Sequence, residues 1–399
     1  LGTEIVCGEL NGRPAGEQEV EIVERKGLGH PDTICDLVAE EVSQALCRAY
    51  RERAGRVLHY NCDKALLVAG QAACRFGGGE VTLPMRLVLG DRASRVEGVD
   101  VAAVARQAAR GWFFRRLRHI DPYRHLTFQL ELQPGSAELT GLFAGPVRGA
   151  NDTSAAVGYA PATETERLVR EAEAWLNSPA FKARYPQSGE DVKVLGARRG
   201  RRLDLTVAMP LVDRYVGSES EYFEVKAAIA DGLQAHVRER TRRVDDVRVL
   251  LNALDRRGAG ADGTYLTVVG TSAENADSGQ VGRGNRANGV IACHRPSTME
   301  AVAGKNPVSH VGKIYGVLSF RLAERLHAEV EAVEEAVVWL HSRIGERIDT
   351  PPLVSVEVRL GAGASLADVR DELRSLVLAE LERVPVLCDE LALGLHPVC

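Results

Sequence analysis

A chain of 399 residues, 45% hydrophobic and 26% charged, has material for two or three core-forming units and is too apolar to be disordered throughout. Its 50 Lys and Arg against 55 Asp and Glu give a net charge of -5, which argues against a main task of gripping nucleic acid or an anionic membrane. No run of about 18 apolar residues exists to span a bilayer, and the start LGTEIVCGEL predicts no signal segment.

In chain order, residues 19–25 (EVEIVER) alternate apolar and charged, as a half-buried strand should. Residues 32–50 carry Ile34, Val38, Val42, Leu46 and Ala49 at helical spacing, which predicts the first helix. Strand-like stretches follow at 56–69 and 80–90, parted by Gly77, Gly78 and Gly79, and a second helix is expected near 100–118. The middle third predicts a helix near 163–177, a strand at 203–212, a helix near 220–240 and a strand at 244–251. Arg198, Arg199, Arg201 and Arg202 surround Gly200 and read as a solvated hairpin turn. The last third predicts a strand at 264–269, a long glycine-rich connection, a helix at 308–330, strands at 336–342 and 353–360, and a closing helix with Ser365 as N-cap. The pattern is α+β with mixed or antiparallel sheets: a first unit at 1–145, a second at 146–260 and a third at 261–399, with segments interleaved between them.

Eight cysteines without a CxxC pair exclude a zinc ribbon and suggest reduced thiols in a cytoplasmic protein. Four clusters carry chemistry. In Gly27-Leu-Gly-His30-Pro31-Asp32, Pro31 suits a first helical turn, so His30 and Asp32 stand where free N–H groups favour an anion. Asn61-Cys62-Asp63 and Gly77-Gly78-Gly79-Glu80 place acids beside a turn that can approach a ligand closely. Asn151-Asp152-Thr153-Ser154 is turn vocabulary. The densest stretch runs from Gly270 to Lys313, with five cations (Arg283, Arg286, Arg295, Lys305, Lys313) and two histidines, one of them His310. So many close cations in a glycine-rich segment suit a polyphosphate, whose charges need donors from several directions. The segment has neither a Walker A pattern nor a dinucleotide fingerprint, and no Ser-His-Asp or Cys-His set is recognisable.

Together GLGHPDTICD, FGGGE, ANDTS, GYAP, ETERLV, EDVKV, GTSAE, VGRGNRANG and AGKNPVSHVGKIY resemble, in order, the archaeal-type methionine adenosyltransferase (S-adenosylmethionine synthetase) family. The resemblance implies a protomer of three similar α+β units in pseudo-threefold arrangement. It also implies a homodimer, or a tetramer, with active sites between subunits. The implied reaction joins methionine to ATP at C5′ and releases triphosphate, then cleaved to pyrophosphate and phosphate, with Mg²⁺ and K⁺ as cofactors. A thioether sulfur carries no proton, so the chemistry needs charge neutralisation at the leaving group rather than a general base.

By this resemblance His30 steadies the departing 5′ oxygen, and Lys193, Arg283 and Lys305 surround the phosphates, joined by Arg286, His310 and Lys313. Asp152 lies near the nucleoside. Glu80 and Asp277 hold methionine, while Asp32 and Asp63 serve cations. The chain departs from the family pattern at Cys62, Lys64, Ala155, Ser278 and residues 293–298. Those departures leave open another nucleoside triphosphate, a methionine analogue, or a non-catalytic nucleotide-binding regulatory subunit.

Overall fold

The computed structural model describes residues 2–143, 148–298 and 300–399. Three larger sheets form among them, each backed by two helices. The first combines Tyr60–Asn61, Ala65–Val68, Met85–Ala93, Leu126–Gln133 and Gly279–Gln280, under helices Pro31–Ala54 and Val101–Arg116. The second has the order Asp246–Leu251, Arg202–Ala208, Lys193–Arg199, Val20–Lys26, Ile291–Ala292, under Glu164–Leu176 and Glu219–Arg238. The third has the order Glu4–Glu9, Leu353–Leu360, Val333–His341, Ala155–Ala160, under Val311–Glu329 and Leu366–Glu382. Each sheet therefore takes strands from segments far apart in the chain. The expected unit boundary at 145/146 lies outside the described residues.

The helix Pro31–Ala54 shows why these elements form. Pro31 occupies its first turn, Ile34, Val38, Val42 and Leu46 are buried along one face, and Gly55 ends it in the left-handed conformation at φ 69°. Burying each such side chain contributes roughly 1.5–3 kcal/mol. The helix covers one side of the first sheet only: Ala65 and Leu67 are buried, while the alternate Leu66 and Val68 stay exposed. The second sheet repeats this, with Val23 buried and Val20 and Ile22 exposed, and the third exposes Val6 and Trp339.

Several sequence expectations change. The stretch 56–69 is two strands, because residues 62–64 leave the sheet and carry Asp63 toward Lys305. The strand expected at 264–269 shrinks to Leu266–Thr267. Gly200 does make the hairpin turn, at φ 55°. Arg198 is not solvated, however. It is buried, donates to Glu21 Oε2 at 2.8 Å and satisfies the carbonyls of Gln18 and Gly200 at 2.6 and 2.7 Å. A short arginine-rich turn exposes only the side chains on one face of the hairpin.

Candidate active site

The ends of two antiparallel strands build the first half of the site. Lys26 and Lys193 are direct partners in the register of Val20–Lys26 with Lys193–Arg199. The chain then turns through Gly27 and Gly29 into the helix capped by His30, whose Nδ1 accepts the Asp32 N–H at 3.2 Å. His30 is buried, and its pKa falls to about 4, chiefly through desolvation, with Lys26 and Lys193 adding to the effect against Asp32. At neutral pH the imidazole is therefore neutral. Lys193 remains partly exposed and lies 3.0 Å from Glu24.

The glycine-rich segment folds over this strand end. Asn285 binds the Lys26 backbone in both directions, accepting from its N–H at 2.9 Å and donating to its carbonyl at 2.8 Å. Asp32 accepts the Gln280 N–H at 2.9 Å and Asp36 the Gly282 N–H at 2.8 Å, so two acids one helical turn apart clamp the loop. A Cβ at Gly279 would collide with the Pro31 carbonyl, which is why glycine stands there. Burial pushes the Asp36 carboxyl up to about 7, opposed by its hydrogen bond from Gly282. Lys26 was not read as a site residue. Its ammonium donates to Asp32 at 2.8 Å and to the Arg283 carbonyl at 2.6 Å. The only sequence signal was its place directly before the Gly-Leu-Gly-His turn.

The second half is a cavity of about 590 Å³ lined by Asp63, Lys64, Arg283, Glu300 and Lys305. Lys305 is almost fully buried, bonds Asp63 closely and lies 3.2 Å from Glu300. Asp63 also holds Lys64 and accepts from Asn61 at 2.9 Å. Burial opposes ionisation of Asp63, but these cations hold its carboxyl well below the usual range. Asp91, half-buried beside it, moves the other way to about 7, through desolvation and the neighbouring Asp63.

The remaining expected residues divide. Arg283 is exposed, and Arg286 donates to the carbonyls of Gly282 and Gly284 at 3.2 Å each. His310 caps the helix Val311–Glu329 as His30 caps the first, accepting the Gly312 N–H at 3.2 Å. Lys313 is fully buried and donates to both Glu40 oxygens, at 2.8 and 2.6 Å. Asp152 is exposed, in a turn fixed by Ser342 Oγ donating to its carbonyl at 2.9 Å, and Ser154 reaches Glu300 at 3.3 Å. Glu80 is exposed on the ribbon of Gln71–Ala73 with Glu80–Leu83. The chain entering that ribbon is tied to the Asp277 segment, Ala69 N–H donating to Ser278 Oγ and Gly70 N–H to the Ala273 carbonyl, both at 3.0 Å. Asp277 is exposed as well. Among the described residues, no three His, Cys, Asp or Glu side chains cluster as a metal cage.

The sequence profile of the S-adenosylmethionine synthetase (AdoMet synthetase) family matches residues 3–395. The chain belongs to the S-adenosylmethionine synthetase family. An S-adenosylmethionine synthase of Methanothrix thermoacetophila is 45% identical over 383 residues, 94% of each chain. One from Pyrococcus furiosus is 45% identical over 396 residues, covering 96% of this chain and 97% of its own. A solved S-adenosylmethionine synthetase from Campylobacter jejuni shares the fold, with a TM-score of 0.58 at 16% identity over 92% of this chain and 88% of that one. The α+β architecture of mixed and antiparallel sheets is thus that of S-adenosylmethionine synthetases. No described helix is long and apolar enough to cross a membrane.

Proposed function

We propose that the two halves of the site act on one substrate, the triphosphate of ATP, while methionine sulfur attacks C5′. As a member of this family the chain is a methionine adenosyltransferase. The observation that carries the assignment of the phosphate site is the linkage of its cations. Arg283 and Lys305 line one cavity, the Arg283 carbonyl is bonded to Lys26, and Lys26 faces Lys193 in the strand register. Fixed positive groups aimed at growing negative charge lower the barrier without reorganisation at the moment of reaction, worth about 2.7–4 kcal/mol per well-placed donor.

In this reading the sulfur needs no base, and neutral His30 donates from Nε2 to the 5′ oxygen as it departs, its Nδ1 being engaged by the Asp32 N–H. Lys193, Arg283 and Lys305 neutralise the triphosphate, with Arg286 holding the loop by its carbonyl contacts. His310 is neutral and buried, and Lys313 is engaged by Glu40. Asp152 lies toward the nucleoside. Glu80 and Asp277, both exposed and joined through the ribbon, receive the α-amino group of methionine.

The donor set at Asp32 fits Mg²⁺, which is commonly bound through one or two carboxylates plus substrate phosphates, and a cationic ammonium already sits 2.8 Å from it. Asp63, engaged by Lys305 and Lys64, is the candidate for the K⁺ or methionine region. When bound, Mg²⁺ would offset charge on the phosphate oxygens. The apolar residues exposed on the open sheet faces, Val6, Ile22, Leu66, Val68 and Trp339, support a homodimer packed sheet to sheet, or a tetramer, with the active site at the subunit interface.

Incubation with ATP, methionine, Mg²⁺ and K⁺ should yield the sulfonium product by mass, with pyrophosphate and phosphate. The same assay across the four nucleoside triphosphates and methionine analogues tests specificity. Absence of any sulfonium would overturn the assignment.

A further inference from the structure

We propose that Lys26 is a tethered cation that occupies the divalent-metal position beside Asp32 until a polyphosphate arrives, so that metal enters only with the nucleotide. This deepens the phosphate-site reading and rests on Asp32 as a magnesium ligand. Lys26 is buried, and its ammonium lies 2.8 Å from Asp32 Oδ2 while Oδ1 is engaged by the Gln280 N–H. Both oxygens of the carboxylate are therefore in use. A divalent ion approaching Oδ2 meets an ammonium already seated there and is repelled by it. The same ammonium donates to the Arg283 carbonyl, so its position is coupled to the phosphate loop.

The backbone of Lys26 cannot follow such an exchange. Its N–H and carbonyl are both held by Asn285, and Thr33 Oγ1 adds a third bond to the carbonyl at 3.0 Å. Only the flexible four-carbon side chain can move, and the nearest other carboxylate, Glu24 with Oε1 at 3.7 Å, is already paired with Lys193. An incoming triphosphate brings its own metal and supplies oxygens for the released ammonium. Without it, displacement would leave a buried lysine poorly paired, which is costly. The device makes metal affinity conditional on substrate.

Water-proton relaxation and Mn²⁺ EPR on the intact protein read this directly. Wild type should bind Mn²⁺ weakly alone and at least about ten-fold more tightly with a non-hydrolysable ATP analogue. K26M should bind Mn²⁺ without nucleotide at least about ten-fold more tightly than wild type, and K26M/D32N should lose that gain. K26R, which keeps the charge, should behave as wild type. Equal Mn²⁺ affinity with and without nucleotide in wild type, nucleotide-free binding by K26R, or no gain in folded K26M would each overturn the proposal. Should K26M fail to fold, wild type and K26R still decide. Wild type that binds Mn²⁺ in neither condition overturns the magnesium assignment of Asp32 instead.

Discussion

Lys305 and Lys313 stand eight positions apart around one helix start, and the fold puts them to opposite uses. Lys305 reaches the wall of the cavity and shares Asp63 with Lys64. Lys313, one turn inside the helix, is withdrawn from solvent and held by Glu40 of the first helix. In sequence both are lysines of a cation-rich, glycine-rich stretch. The difference lies in the partner's surroundings: Asp63 borders open space, whereas Glu40 lies in the contact between helices. Charge density along a chain thus does not say which charges border open space and which are paired in the interior.

The largest effect expected from this contrast is at the buried pair. K313M should destabilise the protein by about 3–5 kcal/mol, seen as a lowered melting temperature, because it leaves Glu40 buried without its cation. The double variant E40Q/K313M should recover much of that loss. K305M should lower the melting temperature less than K313M, because Asp63 keeps Lys64 as a partner, while kcat falls about 10²–10³-fold, equivalent to about 2.7–4 kcal/mol of barrier. Unchanged turnover in K305M would remove it from the phosphate site. A K313M protein that is stable but inactive would place both lysines at the ligand.

The residue between them supplies a pH test. His310 has its pKa lowered from 6.5 to about 3, by burial first and by Lys305 second. Between those values the unfolded chain binds more protons than the folded one, so stability rises with pH and is lost as acid is added below about pH 6.5. H310N keeps a capping side chain without the titrating ring. Its melting temperature should therefore fall less steeply than that of wild type between about pH 6.5 and about pH 4.5. Parallel slopes would show that His310 titrates freely.

The smallest effect is expected far from either lysine. Thr163 caps Glu164–Leu176 through a reciprocal box with Glu166, at 3.2 and 2.9 Å. T163A should cost about 1 kcal/mol and leave kcat and KM unchanged. A kinetic change in T163A would mean that cap loss spreads to the site, weakening the contrast between K305M and K313M.

How much of this was legible beforehand follows the range of each interaction. The helix at residues 32–50 was readable because its pattern is local, and the observed Pro31–Ala54 extends it only at the ends. His30, Asp32 and Lys305 stand in motifs that single them out in the sequence. Lys26 gave no such signal, because its contacts are with Asp32, six residues on, and with Arg283, far along the chain. Glu40 gave no signal in the sequence, because its partner Lys313 lies 273 positions along the chain. The strand Glu4–Glu9 was missed because its partner, Leu353–Leu360, lies near the other end of the sequence. Lys193–Arg199 was missed because Gly196 and the terminal arginines mask the alternation of a strand.

That parallel pairing of residues 4–9 with 353–360 has a consequence for biogenesis. Strand Glu4–Glu9 must wait, without its neighbour, until Leu353–Leu360 has been made. Closing so long a loop is slow, and an unpaired apolar edge invites wrong partners meanwhile. The third sheet should accordingly be the last to lock during synthesis, and the stage at which chaperone help matters most.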